Sequence, residues 1–133
     1  MKEKNGLDSI QSAFLELASS IGLTIDEMNS ELKDNGQFEW IIDYKNSLSE
    51  QHEYDLSKLL MYFDIHRRAR RNNDQLTAFA ALLHAGISAH NLKNLFENIE
   101  DEIDKVMFRD SRFKWPEIPE NYKFPENYPA EKS

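Results

Sequence analysis

The 133-residue sequence contains no cysteine, only four glycines and only four prolines. The missing cysteines exclude disulfides, thiol nucleophiles and cysteine-ligated metals, and they are compatible with a reducing compartment. No apolar run approaches the roughly 20 residues that cross a bilayer, and no signal peptide follows the charged start. The few glycines form no phosphate-binding loop. We therefore expect a cytoplasmic protein that does not insert into a membrane.

Positive charge is also scarce. Lys and Arg total 16 against 24 Asp and Glu, which gives a formal net charge of −8. General binding to a nucleic-acid backbone needs clustered cations, so nucleic acid is the less favoured partner. The charge favours another protein with a basic surface. The length predicts one domain with its own core.

Helical periodicity dominates the first part of the chain. An apolar stripe from Leu7 to Ile21 predicts a helix that ends at Gly22. Thr24 and Glu27 have the spacing of a capping box, which predicts a short second helix running to the turn signal at 34–36. The segment Phe38–Tyr44 suits a strand or a helix, and we assign it to a helix because no second strand pattern is available for pairing.

Two further regions complete the predicted bundle. Ser47 has the position of a cap for a long helix that ends in a cluster of arginines. Asn73 or Asp74 caps the next helix, which we expect to end at Gly86, with a final helix starting at Ser88. The prediction is an all-α fold, a compact bundle of five to six helices over residues 1–110, with an extended Pro/aromatic tail over 111–133.

The predicted tail holds every proline and repeats Pro-Glu-Asn-Tyr at 119–122 and 125–128. Proline lacks a backbone N–H and disfavours helix in the residue before it, so we expect an extended segment. Such a segment either folds back onto the bundle or binds a groove of another protein. The candidate partner-binding residues of the tail are Trp115, Ile118, Tyr122, Phe124 and Tyr128.

Two charged clusters are further candidates. The last helix has an acidic face that suits a basic partner; it consists of Glu97, Glu100, Asp101 and Asp104. The opposite charge is concentrated in a possible anion-binding cluster of Arg67, Arg68, Arg70 and Arg71. These arginines alternatively complement the helix dipole or pair with the acidic last helix.

Catalytic patterns are missing from the sequence. The four histidines, at 52, 66, 84 and 90, form neither a His-Glu-x-x-His motif nor the Glu-x-x-His pair of di-iron bundles. A hydrolytic site would require several of them to converge in space. We predict no enzyme activity, no metal and no cofactor.

The sequence therefore predicts a protein–protein interaction module. Small acidic helical proteins of this type act as inhibitors, immunity factors, adaptors or regulators that cover a partner's basic surface. The alternative is a helix-turn-helix-like nucleic-acid regulator that uses Arg67–Arg71 and the helix after Gly86. An oligomer is compatible with either function.

Overall fold

The computed structural model describes residues 6–29 and 40–128. These residues form four α-helices and no strand, so the all-α prediction is confirmed, although the helices are fewer than the five to six expected. One π-helical turn follows the last α-helix, and the chain from 110 to 128 has neither helix nor strand. The helices are α1 (Leu7–Ser20), α2 (Ile25–Met28), α3 (Leu48–Arg71) and α4 (Gln75–Asp104), and the π-helical turn is Lys105–Arg109.

Helices α3 and α4 form a long antiparallel hairpin. The Ser47 hydroxyl caps α3 by accepting a bond from the Glu50 amide, and the Asp74 carboxylate caps α4 by accepting one from the Thr77 amide. Asn73 makes the corner between the helices with a positive φ of 57°. Along the half of the hairpin next to this corner, the buried apolar residues are all small: Ala69, Ala78, Ala81 and Ala85.

Helix α4 continues through Gly86, so the predicted helix end at this glycine is wrong. A glycine inside a helix costs only about 1 kcal/mol relative to alanine. The flanking residues have ordinary helix propensity and include no proline, and Ser88 is buried within the helix instead of capping a new one. The penalty is therefore too small to break a helix that packs against α3 on both sides of this glycine.

The segment Trp40–Tyr44 is irregular, so the predicted helix is wrong for these residues. Phe38 and Glu39 lie outside the described residues, as does the turn signal at 34–36. The amides of Ile41 and Ile42 donate to the carboxylate of Glu102 at 3.1 and 2.8 Å. A side chain of α4 thus satisfies backbone groups that neither a helix nor a strand pairs.

The larger buried side chains gather at the opposite end of the hairpin, which we call the base. There α1 and the segment 40–48 pack against the end of α4 and the residues that follow it. Gln11 of α1 is buried; its amide group donates to the carbonyls of Asp43 and Asn46, and its oxygen accepts from the Leu48 amide. The core residues of the base are Phe14, Ala18, Met28, Trp40, Ile42, Tyr44, Leu48, Leu95, Ile99, Val106 and Phe113.

Candidate functional site

The C-terminal segment, residues 111–128, leaves the base at a corner fixed by Asp110. Its carboxylate accepts from the Lys105 ammonium at 3.1 Å and from the Arg112 guanidinium at 2.6 Å. The hydrogen bond from Arg112 holds the pKa of Asp110 well below its usual range, and the Lys105 charge adds to this effect. The corner is therefore ionised and paired at neutral pH.

Two aromatic residues attach the C-terminal segment to the base. Phe113 is buried, with its ring edge-on to Trp40 at a centroid distance of 6.1 Å. The indole N–H of Trp115 donates to the Val106 carbonyl at 2.7 Å. This carbonyl lies in the π-helical turn, where the α-helical bonding pattern changes, and Trp115 supplies its partner.

Beyond this attachment, the apolar side chains of the segment face solvent. Ile118 and Phe124 are each 81% exposed, and Trp115, Tyr122 and Tyr128 are also exposed. An open, mainly apolar groove of about 580 Å³ lies between the C-terminal segment and the π-helical turn that follows α4. Its lining consists of Met107, Phe108, Trp115, Pro116 and Ile118.

The two Pro-Glu-Asn-Tyr repeats form turns, which the expectation of an extended chain did not include. The amide of Tyr122 donates to the Pro119 carbonyl, and the amide of Tyr128 donates to the Pro125 carbonyl, each at 3.1 Å. In the first turn Asn121 has a φ of 66°, a conformation that asparagine tolerates well. Each copy of the tetrapeptide therefore closes a turn that ends in a tyrosine, although only the first turn has an asparagine with a positive φ.

Glu102 was not among the residues predicted from the sequence to have a role, and its side chain is fully buried at the base. Besides the two amides of the segment 40–44, its carboxylate accepts a bond from the Tyr44 hydroxyl at 3.0 Å. Burial raises the pKa of Glu102, although the three donors and the Lys105 charge oppose this shift. Burial and the neighbouring carboxylate also raise the pKa of the Tyr44 phenol. The arrangement holds an irregular segment in place.

The periodicity of α4 contained the signal that would have located Glu102. The residue lies at the same helical spacing as Leu95, Ile99 and Val106, all of which are buried. The sequence predicts an apolar stripe on the last helix that consists of Leu92, Leu95, Phe96, Ile99, Ile103, Val106 and Met107. This stripe includes the three buried residues, but Phe96, Ile103 and Met107 are exposed. Because a charged residue counts against an apolar stripe, the prediction omitted Glu102.

The two predicted charged clusters lie at opposite ends of the hairpin. The arginines occupy the last turn of α3 and are exposed; Arg68 pairs with Asp64 at 3.0 Å. Within residues 6–29 and 40–128, Arg67, Arg70 and Arg71 form no ion pair. A helix rises about 1.5 Å per residue, which places this cluster roughly 30 Å from the acidic face.

The acidic face is exposed along the last turns of α4. Asp104 pairs with Arg109 at 3.0 Å, and the Arg109 guanidinium also bonds to the Asp101 carbonyl. Glu97 and Glu100 form no ion pair among the described residues. The predicted pairing of this face with the arginine cluster is therefore absent within one chain, because the hairpin separates the two ends.

The histidines are distributed along the hairpin. His66 bonds to the Ala78 carbonyl at 2.8 Å, His84 stacks on Tyr62, and His52 contacts Phe96. Among the residues that the structure describes, no group of three or more His, Asp or Glu side chains has the geometry of a metal site. Because α4 is continuous, Ser88–Asn94 is the middle of a helix, and no helix-turn-helix corner forms at Gly86.

Within residues 6–29 and 40–128, no helix combines the length and the apolar character required to span a membrane.

Comparison with known proteins gives a fold relative and a family. No curated protein matches the sequence. A crystal structure of a functionally unknown protein from Neisseria meningitidis MC58 is similar, with a TM-score of 0.75 and 21% identity, over 85% of this chain and 98% of that one. At this identity the similarity supports the fold alone. Residues 8–117 match the model of a family of unknown function, DUF6853. The chain belongs to this family.

Proposed function

We propose that the chain is a non-enzymatic protein–protein interaction module that binds its partner through the C-terminal segment. One observation carries the proposal: the segment is attached to the base, yet its apolar side chains point outward. Phe113 is buried and Trp115 is hydrogen-bonded, whereas Ile118 and Phe124 are almost entirely exposed.

This combination differs from a solvated linker and from a segment that completes the core. A linker does not need aromatic and branched side chains, and a core segment buries them. Attachment at two points lowers the conformational entropy that binding would otherwise remove. The groove beside Trp115 adds a concave apolar surface next to the exposed apolar side chains of the segment. An attached segment with outward apolar side chains supports a role in partner binding.

Charge favours a basic partner. The whole chain has a net charge of −8, whereas the segment itself is neutral, because Glu117, Glu120 and Glu126 are balanced by Arg112, Lys114 and Lys123. Exposed ion pairs contribute at most about 1 kcal/mol each, so the net negative charge mainly raises the association rate. For the same reason the acidic face of α4 is a secondary contact.

The mechanism we propose is occlusion: the segment and its groove cover a functional surface of the partner. The proposed role is that of an inhibitor, immunity factor, adaptor or regulator of the cytoplasm, and occlusion requires no catalysis by this chain.

Matched variants of the full-length chain test the proposal. We expect Ile118→Ser/Phe124→Ser to reduce recovery of a protein partner from a native-host lysate at least 10-fold, as measured by quantitative mass spectrometry. Leu76→Ser/Leu83→Ser is the control, because it removes two exposed apolar side chains of α4 far from the segment. Equal loss with both variants, or recovery of nucleic acid without a protein, would contradict the proposal.

A further inference from the structure

A second apolar surface lies on one side of the α3–α4 hairpin. We call it the hairpin face. Its six large side chains are between 37% and 61% exposed. They are Leu56, Leu60 and Phe63 of α3 and Phe79, Leu82 and Phe96 of α4.

Helical spacing and a ring contact place these residues on one side. Leu56, Leu60 and Phe63 are separated by four and three residues, and Leu82 and Phe96 by fourteen, which is close to four whole turns. The contact of His52 with Phe96, at a centroid distance of 5.8 Å, shows that this side is shared by both helices.

These six side chains form one exposed apolar patch on a single side of the hairpin. Single exposed apolar residues are common on monomeric proteins, whereas a contiguous patch marks an interaction surface.

Charge indicates how a second copy would be oriented. Arg67 and Arg70 follow Phe63 by four and seven residues, so they extend the hairpin face at its corner end. Glu97 and Glu100 follow Phe79 and Leu82 by eighteen residues, or five whole turns, and extend the same face at the base. Along the hairpin the order is basic, apolar, acidic, and Lys93 lies on the same face beside the acidic end, four residues before Glu97.

We infer that two copies of this chain pack through their hairpin faces as an antiparallel, two-fold symmetric dimer. Leu56 and Leu60 lie on either side of the midpoint, where the symmetry axis passes. Arg67 and Arg70 of each copy meet Glu97 and Glu100 of the other, which supplies between chains the pairing that one chain cannot make. The four helices then form a bundle whose apolar centre is no longer exposed.

The mass in solution tests the assembly. We expect light scattering of the full-length chain to give twice 15.6 kDa. Leu60→Glu/Phe79→Glu should raise the dissociation constant at least about 100-fold, because each copy would bury unpaired charges at the interface. The helical circular dichroism should remain, because Leu60 and Phe79 are about 60% exposed in one chain.

A matched control uses the opposite side of the hairpin. Met61→Glu/Ile87→Glu introduces the same charges at exposed apolar positions outside the hairpin face. We expect this variant to stay dimeric. Ile118→Ser/Phe124→Ser should also stay dimeric, which separates this inference from the proposed function.

Orientation is tested by cross-linking, which the absence of native cysteine makes specific. A short thiol cross-linker should join Arg70→Cys chains to Glu100→Cys chains when the two are mixed, and neither variant to itself. Charge reversal gives a second test: Arg70→Glu or Glu100→Arg alone should weaken the dimer about 3- to 10-fold, and the two together should restore it.

Three results would overturn the inference. A monomer at every concentration would show that no second copy covers the hairpin face. Cross-linking of Arg70→Cys chains to one another would show a parallel arrangement. Equal dissociation by the hairpin-face variant and its Met61/Ile87 control would place the interface elsewhere.

Discussion

At the scale of single residues, Glu102 and Trp115 perform similar tasks. Each side chain pairs backbone groups that regular structure leaves unpaired: Glu102 accepts from the amides of Ile41 and Ile42, and Trp115 donates to the Val106 carbonyl. A buried unpaired backbone group costs about 1–3 kcal/mol. The irregular parts of this chain therefore depend on a few long-range side-chain contacts.

Replacing Glu102 by Gln should lower the free energy of unfolding by about 1–3 kcal/mol, because the Gln amide group faces backbone donors. The loss should also depend on pH. Burial raises the pKa of Glu102 above 4.5 in the folded chain. Protonated Glu102 therefore stabilises the folded state relative to the unfolded state, and this stabilisation decreases as the pH rises above 4.5. Glutamine does not titrate. The stability difference between wild type and Glu102→Gln should therefore shrink from pH 4 to pH 8.

Urea denaturation at several pH values measures this difference. Asp110 titrates in a separate pH range, because its pKa is lowered in the folded chain. The stability that its carboxylate contributes is present above pH 3.8 and is lost only at lower pH. A difference that is constant between pH 4 and pH 8 would show that Glu102 has the same pKa in the folded and unfolded chain.

Trp115→Phe should lower the free energy of unfolding by about 1 kcal/mol, because it removes the indole N–H and leaves the Val106 carbonyl without its donor. Ile118→Ser, three residues further, should change it by less than about 0.5 kcal/mol, because Ile118 is exposed. Thermal denaturation compares the two. A larger loss for Ile118→Ser would show that the segment packs as part of the core in solution.

At the scale of elements, Gly22 and Gly86 provide a matched pair. Both have open space where a Cβ would be placed, but only Gly22 has a positive φ, of 85°. Gly86→Ala should raise the free energy of unfolding by about 0.5–1 kcal/mol through helix propensity. Gly22→Ala should lower it by about 1 kcal/mol through backbone strain.

Both substitutions are best measured in the Leu60→Glu/Phe79→Glu background, where assembly does not contribute to stability. Chemical denaturation then reports the single chain. A loss of stability for Gly86→Ala would indicate that α4 is interrupted at this position in solution, as the sequence pattern had suggested.

Some elements of the fold were predictable from the sequence and others were not, for physical reasons. Helix starts were predictable where a cap is local: Thr24, Ser47 and Asp74 each accept the amide three residues later. The continuation of α4 through Gly86 was not predictable from local signals, because packing against α3 outweighs a penalty of about 1 kcal/mol. The segment 40–44 depends on Glu102, about 60 residues away in sequence.

The candidate site likewise has features that could be predicted from the sequence and features that could not. The absence of helix around Ile118 and Phe124 could be anticipated from the neighbouring prolines. The exposure of these two side chains could not, because such a segment can also fold back onto the bundle. The attachment by Phe113 and Trp115 could not, because it depends on where the π-helical turn places the Val106 carbonyl. The fold of the chain around Asp110 determines which aromatic residues of the segment are buried and which are exposed.

At the scale of the whole molecule, the two ends of the hairpin have different sources of stability. The large core residues, such as Trp40, Leu95 and Ile99, lie at the base, whereas the buried apolar residues near the corner are alanines. An alanine buries far less apolar area than a leucine, so the corner half gains less from packing within one chain. Its large side chains point away from the partner helix and become buried only if a second surface covers them.

Hydrogen exchange should therefore differ along α4 in a way that depends on assembly. In the monomeric Leu60→Glu/Phe79→Glu variant, we expect the amides of residues 76–85 to exchange at least 10-fold faster than those of 95–104, because the corner half opens without unfolding the base. In the wild-type dimer this difference should diminish, since the second copy covers the corner half. Mass spectrometry of peptides from the two regions measures both rates. Equal protection of the two regions in the monomeric variant would show that alanine packing alone holds the corner half closed, and the exposed leucines and phenylalanines would then have no part in its stability.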